Sequence, residues 1–183
     1  MSAPLLTIGH GTSERDELAQ RFRDAGIDTL VDVRRFPGSR RHPEVSRDAM
    51  QEWVPGLGIE YVWEERLGGR RRVPKDDQDA DAWWRVEAFR AYAAHTRDPE
   101  FHAGMADLLD RVSGSTVAVM CSEFVWWRCH RRIVSDVAVL VHGIDVEHVM
   151  PDGRRSAHEP SEGAVVAGQG LTYPATPAEA GDA

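Results

Sequence analysis

Short apolar runs alternate along this chain with longer stretches whose apolar residues recur every three or four positions. Leu5-Leu6-Thr7-Ile8, Thr29-Leu30-Val31-Asp32-Val33, Ile59-Glu60-Tyr61-Val62-Trp63, Thr116-Val117-Ala118-Val119-Met120 and Val146 to Met150 read as strands. Ser13 reads as the N-cap of a helix carrying Leu18 and Phe22, and Gly26 ends it. Ser46 caps a short helix through Met50 and Trp53, which Pro55 disturbs. Val86 to His95 reads as a helix. Asp98-Pro99 starts another, with Phe101, Met105, Leu108, Leu109 and Val112 as its inward stripe. Cys129 to His142 reads as the last helix, with Ile133, Val134, Val137, Leu140 and Val141 inward.

Strands that alternate with helices predict an α/β fold: a single three-layer domain with a mostly parallel sheet flanked by helices. The pattern places this domain over residues 1–160. Residues 161–183 are Gly, Ala, Pro and Glu with few anchors, which predicts a disordered tail.

Composition leaves this picture intact. The 183 residues are 42% hydrophobic and 28% charged, an ordinary globular balance. No run of about eighteen apolar residues exists, so no membrane partner is expected. Met-Ser-Ala-Pro leads straight into the first strand with no basic leader, so a cytoplasmic protein is expected. Two cysteines are too few for a disulfide scaffold and read as thiols or ligands. A net charge of −8 argues against broad binding to a nucleic-acid backbone. Lys75 is the single lysine among 22 basic residues. GC-rich codon usage accounts for that excess, so arginine carries meaning only where it clusters at a site.

Ligands in such folds bind beyond the carboxyl ends of strands. Chemistry-bearing residues fall there: His10 after the first strand, Asp32 and Arg34 at the second, and Cys121-Ser122-Glu123 after the fourth. Cys129-His130-Arg131 then opens the last helix. A strand-end thiol near arginines can be a nucleophile, which assigns Cys121 that role, with Glu123 and His130 handling protons. The alternative for Cys121 is a buried apolar packing residue. Free N–H groups at the helix start, with Arg128, Arg131 and Arg132, suit an anion; a solvated basic helix start is the plain alternative. Arg34, Arg40, Arg70 and Arg131 are the expected anion ligands. Gly68-Gly69 allows close approach of backbone to ligand. Trp126 and Trp127 either cover a pocket, stack on a ring or simply pack. Cys121, Cys129, His130, His10 and His148 also form a donor set for zinc or iron, although their spacing fits no structural zinc pattern.

Six ordered blocks carry a resemblance: Thr7-Ile8-Gly9-His10; Leu30-Val31-Asp32-Val33-Arg34 with Pro37 and Ser39-Arg40-Arg41; Gly58-Ile59-Glu60-Tyr61; Leu67-Gly68-Gly69-Arg70; Met120-Cys121-Ser122-Glu123 with Cys129-His130-Arg131; and His148 to Gly153 with His158. In this order they resemble the motifs of the domain of unknown function 488 family, over residues 5 to about 160. The family usually reads Gly-His-Ser after the first strand and Cys-Ala-Glu after the later one. Here Gly11 and Thr12 follow His10, and Ser122 replaces the alanine. The resemblance implies relatives and names no reaction. A fainter likeness in layout, to rhodanese-like domains, rests on Asp32-Val33-Arg34 and the strand ending in Cys121.

Three functions are compatible with the sequence. One is an enzyme acting on a small anionic or nucleotide-like substrate, with His10, Asp32, Arg34, Arg40, Gly68, Gly69, Arg70, Cys129 and Arg131 lining its site. The second is a nucleic-acid or nucleotide binding module without catalysis, and the third is a metal-binding protein using Cys and His.

Overall fold

The computed structural model describes residues 3–77 and 79–175. Five strands run parallel: β1 (Leu5–Gly9), β2 (Thr29–Asp32), β3 (Glu60–Trp63), β4 (Val117–Cys121) and β5 (Val146–Val149). A sixth, β6 (Arg155–Ala157), pairs antiparallel with β5, which gives the order β3-β2-β4-β1-β5-β6. The helices are α1 (Arg15–Asp24), α2 (Arg47–Trp53), α3 (Glu87–His95), α4 (Pro99–Val112) and α5 (Arg131–Leu140). This is the expected mostly parallel α/β fold.

Alternate strand residues feed two cores, as the pleat requires. Leu6, Ile8, Leu30, Ala118 and Met120 pack under α1 and α2, against Leu18, Phe22, Met50 and Trp53. Leu5, Val31, Val117 and Val119 pack on the opposite face, against Phe101, Met105, Ile133 and Val137 of α4 and α5. The sheet is therefore the middle of three layers.

Local expectations hold with small shifts. Ser46 caps α2, its hydroxyl accepting from the Ala49 N–H at 3.3 Å. Ser13 does not cap α1; its hydroxyl accepts from Arg21 Nη2 at 2.6 Å instead, and Glu14 takes the cap position.

The expected tail is overturned for residues 161–175. They form a hairpin, β7 (Val165–Ala167) with β8 (Gly170–Thr172), that ends on the α3–α5 side of the core. Leu171 and Tyr173 are fully buried there. The Thr96 hydroxyl accepts from the Leu171 N–H, and Arg97 donates to the Leu171 carbonyl at 2.7 Å. Two apolar anchors and these polar ties are enough to order a segment whose average composition looks unfoldable. Residues 176–183 of the expected tail lie outside the described residues. No helix among the described residues is long and apolar enough to cross a membrane.

Candidate functional site

Register brings the strand ends level. Gly9 pairs with Cys121, and Asp32 pairs with Met120. The His10 N–H donates to the Cys121 carbonyl at 3.0 Å, and the Val33 N–H to the Met120 carbonyl at 3.0 Å. Gly9 is required at this junction: a Cβ there would sit 1.7 Å from the Glu123 carbonyl oxygen. The loop after β4 can thus fold back over the end of β1 only where no side chain stands.

Beyond these ends lies a cavity of about 560 Å³. His10, Arg34, Gly69, Arg70, Cys121, Glu123, Cys129 and His130, all candidates from the sequence, line it. Arg128, offered by the sequence as an anion contact at the helix start, lines it too, with Arg35, Phe36, Ser39, Phe89 and Tyr92 among the other lining residues.

The remaining expected residues stand elsewhere. Asp32 is buried behind the wall, where Arg34 grips it through Nε at 2.8 Å and Nη2 at 2.7 Å. Tyr61 O–H donates to the same carboxylate. The Arg34 charge is therefore matched within the protein. Gly68 serves packing, since a Cβ there would meet the Arg35 backbone at 2.7 Å. Gly69 passes close to His130, with a hypothetical Cβ 3.1 Å from its Nδ1. Arg40 is exposed and outside the lining. Arg132 donates to Ser161 Oγ at 3.0 Å and lies over the Trp84 ring, facing the C-terminal segment.

Arg131 is 1% exposed and sits behind the two thiols. Its Nη2 donates to the Glu123 carbonyl at 2.6 Å, and its Nη1 to Thr7 Oγ1 at 3.3 Å. Its buried Nε has no hydrogen-bond partner. Among the described residues no carboxylate lies within ion-pair distance of this guanidinium. The Arg131 backbone N–H, at the start of α5, donates to Cys129 Sγ at 3.4 Å.

The two thiols consequently differ. Burial pushes the Cys129 thiol up, but a hydrogen bond from Cys121 and the charge and N–H groups of Arg131 outweigh it and bring it down to about 7. Burial and the neighbouring Cys129 push Cys121 well above the ordinary range. The Cys121 thiol faces the Glu123 carbonyl, 4.0 Å away, whereas Cys129, which accepts the Arg131 backbone N–H, is the sulfur prepared to be anionic.

His130 completes the arrangement. Its Nε2 lies 3.0 Å from the Val33 carbonyl oxygen, which can only accept, so the proton sits on Nε2. Nδ1 then offers a lone pair to Cys129 Sγ, 3.6 Å away. Burial lowers the His130 pKa, favouring that neutral ring. Tyr92 of α3 packs on it, ring centroids 4.9 Å apart.

His10 is fixed rather than free. Its Nδ1 meets the Gly11 carbonyl at 2.9 Å, and its Nε2 faces Arg34 Nη1 at 3.2 Å. Burial, with the Arg34 charge, lowers its pKa to about 4. Burial, with the charges of His158 and Arg131, lowers that of His148 to about 3. Both rings are neutral in the folded chain and take a proton in the unfolded chain below about pH 6.5. The unfolded state then binds more protons, so stability falls as pH drops from about 6.5 towards 4. Urea midpoints at pH 7, 5.5 and 4.5 should show a loss of about 1.4 kcal/mol per pH unit for each histidine. A flat profile would mean that neither ring is held neutral by burial.

Two sequence expectations receive no support from the geometry. Trp126 is stacked on His148, centroids 4.1 Å apart and planes within 5°, so its face is already occupied. Among the described residues no group of three or more His, Cys, Asp or Glu is placed to hold a metal. His148 in particular belongs to a separate cluster, with Thr7 and His158.

No curated protein matches the chain. Among solved structures, a DUF442 protein from Shewanella putrefaciens CN-32 is similar at 18% identity, covering 78% of this chain and 68% of that one, with a TM-score of 0.41. The family model described as "Domain of unknown function DUF488" matches residues 14–138, more than half of the length. By that match, the chain belongs to the DUF488 family.

Proposed function

We propose that this protein is a thiol-dependent enzyme acting on a small anionic, nucleotide-like substrate, with Cys129 as its nucleophile. The reading rests on the buried Arg131 guanidinium, which has no carboxylate partner and instead faces the Cys129 sulfur. A buried cation requires a compensating negative group, and a thiolate at a helix start supplies one. Cys121, expected from sequence to be the nucleophile, becomes the neighbouring thiol that burial keeps protonated.

The rest of the cavity suits an anion. Arg35, Arg70 and Arg128 are lining cations, unlike Arg34, whose charge Asp32 cancels. Phe36 stands 61% exposed at the mouth, with the Arg35 and Arg70 guanidinium carbons 5.4 and 5.8 Å from its ring centroid. An aromatic face between two cations suits a planar group attached to a phosphate or carboxylate. Cys129 Sγ attacks the electrophilic centre; that bond forms as the leaving group departs with its electron pair. His130 Nδ1 holds the thiol proton where thiol rather than thiolate is present. Glu123, in the lining, exchanges a proton with the leaving group. Water then cleaves the covalent intermediate and regenerates the sulfur.

Alkylation of the native protein tests the reading without a known substrate. Modification by iodoacetate, mapped by mass spectrometry, should fall on Cys129 with a midpoint near pH 7. Arg70→Ala should slow iodoacetate, which is anionic, more than neutral iodoacetamide, because the lining cations concentrate anions. A Cys129 midpoint at or above the ordinary thiol value of about 8.5 would remove the proposed nucleophile.

A further inference from the structure

Behind Arg131 runs a file of buried polar groups that the chemistry above does not use. Arg131 Nη1 donates to Thr7 Oγ1 at 3.3 Å, and Thr7 Oγ1 is 2.6 Å from His148 Nδ1. His148 Nε2 is 2.9 Å from His158 Nδ1, and His158 Nε2 is 2.7 Å from Asp136 Oδ1. All five side chains are buried. One end of the file is a guanidinium, which only donates. The other is Asp136, on which three donors converge: His158, Tyr173 O–H at 2.7 Å and the Ser161 N–H at 3.0 Å. Directed from Thr7 O–H to His148 Nδ1, from His148 Nε2–H to His158 Nδ1 and from His158 Nε2–H to Asp136, every bond between these ends points the same way. Trp126 stacks on His148 and fixes the plane of that ring.

We infer that Thr7, His148, His158 and Asp136 are positioning residues for the proposed nucleophile, acting through Arg131 to hold its guanidinium against Cys129. Aligned hydrogen bonds polarise one another in a low-dielectric interior. The chain of bonds gives the buried Arg131 charge a carboxylate partner at a distance, which direct contact does not provide. It also ties the site to the segment carrying His158, Ser161 and Tyr173, which lies beyond the region matched by the family model. Sheet register makes this possible: Thr7 pairs with His148 across β1 and β5, and His148 with Ser156 across β5 and β6.

The inference rests on the Cys129 reading, and the experiment separates the two. Groups facing Cys129 are Cys121 from β4, Tyr92 from α3, and His130 and Arg131 at the start of α5, with Arg71 acting on His130. All are unchanged in a Thr7→Val variant, which keeps the shape of the side chain and deletes the hydroxyl. The iodoacetamide pH profile of Cys129 should move up by about one unit in this variant, a roughly fivefold loss of rate at pH 7. Thr7→Ser, which retains the hydroxyl, should restore the parent profile. His158→Gln interrupts the file far from the sulfur and should shift the profile in the same direction by a smaller amount; it also serves if Thr7→Val fails to fold. Folded variants whose Cys129 midpoint equals the parent value would overturn the positioning role and leave the nucleophile assignment intact. A high midpoint in the parent protein itself would remove the nucleophile assignment first.

Discussion

Cys129→Ser is expected to abolish the reaction of the native protein with iodoacetate at pH 7, while Cys121→Ser keeps at least half of it. The two thiols sit side by side, yet opposite forces act on them. Cys129 receives a backbone N–H and faces a guanidinium, and its pKa comes down to about 7 despite burial. Cys121 sits at the end of β4 with burial and a neighbouring sulfur against its ionisation. Each unit by which a thiol pKa exceeds the ambient pH removes about tenfold of its thiolate. Cys121 should therefore contribute less than about 1% of the native reactivity. Serine at 121 keeps a small O–H group in the same place beside Cys129, so the profile of that variant should move only slightly. Once a group-transfer activity is found, Cys129→Ser should lower it by on the order of a thousandfold or more. Equal loss from both variants would indicate that the sulfurs act as a pair. Loss from Cys121→Ser alone would restore Cys121 as the nucleophile and remove that role from Cys129.

What the sequence disclosed and what it hid follow from the range of the forces involved. The parallel strands were legible because burial on both faces makes each one a nearly continuous apolar run, as in Thr116 to Met120. The candidate site was legible for the same reason. Once the strands are placed, the polar residues that terminate them must emerge at one edge, which brought His10, Arg34, Cys121 and Cys129 together. Choosing between the two cysteines was beyond local pattern. That choice depends on where the Arg131 guanidinium lies, and Thr7 and the Glu123 carbonyl, distant in sequence, determine it. The arginines were misjudged similarly: Arg34 has the right position, but Asp32, two residues away, neutralises it. Phe36 and Arg35 at the mouth carried no periodic signal, since they lie in an irregular loop. One sequence signal does point to the buried polar file. Asp136 interrupts the inward stripe of α5 between Ile133 and Val137, and a carboxylate in that position needs donors from elsewhere.

Two of the three donors, Ser161 and Tyr173, come from the segment that composition marked as a tail, so ending the chain after Pro160 should unfold most of the domain at 25 °C. The truncation removes two fully buried side chains, Leu171 and Tyr173. Loss of a buried leucine costs about 2–5 kcal/mol, and of a buried aromatic about 3–5 kcal/mol. It also strips Asp136 of the Tyr173 hydroxyl and the Ser161 N–H; His158 still reaches Oδ1, and the Oδ2 left without its donor adds about 1–3 kcal/mol. The total matches or exceeds much of the roughly 5–15 kcal/mol that holds a domain together. Gel filtration and urea unfolding of the truncated chain should show an expanded or aggregated species without a cooperative transition. Tyr173→Phe isolates the polar part: the ring still fills its place beside Trp83 and Trp84, and only the bond to Asp136 is lost. That variant should fold, at a cost of about 1–2 kcal/mol. A truncated chain that unfolds cooperatively within about 1 kcal/mol of the full one would mean that the segment merely rests on the core. The burial of Tyr173 against Asp136 argues for the opposite result, because a carboxylate at the centre of a helix–sheet interface is tolerable only while something continues to donate to it.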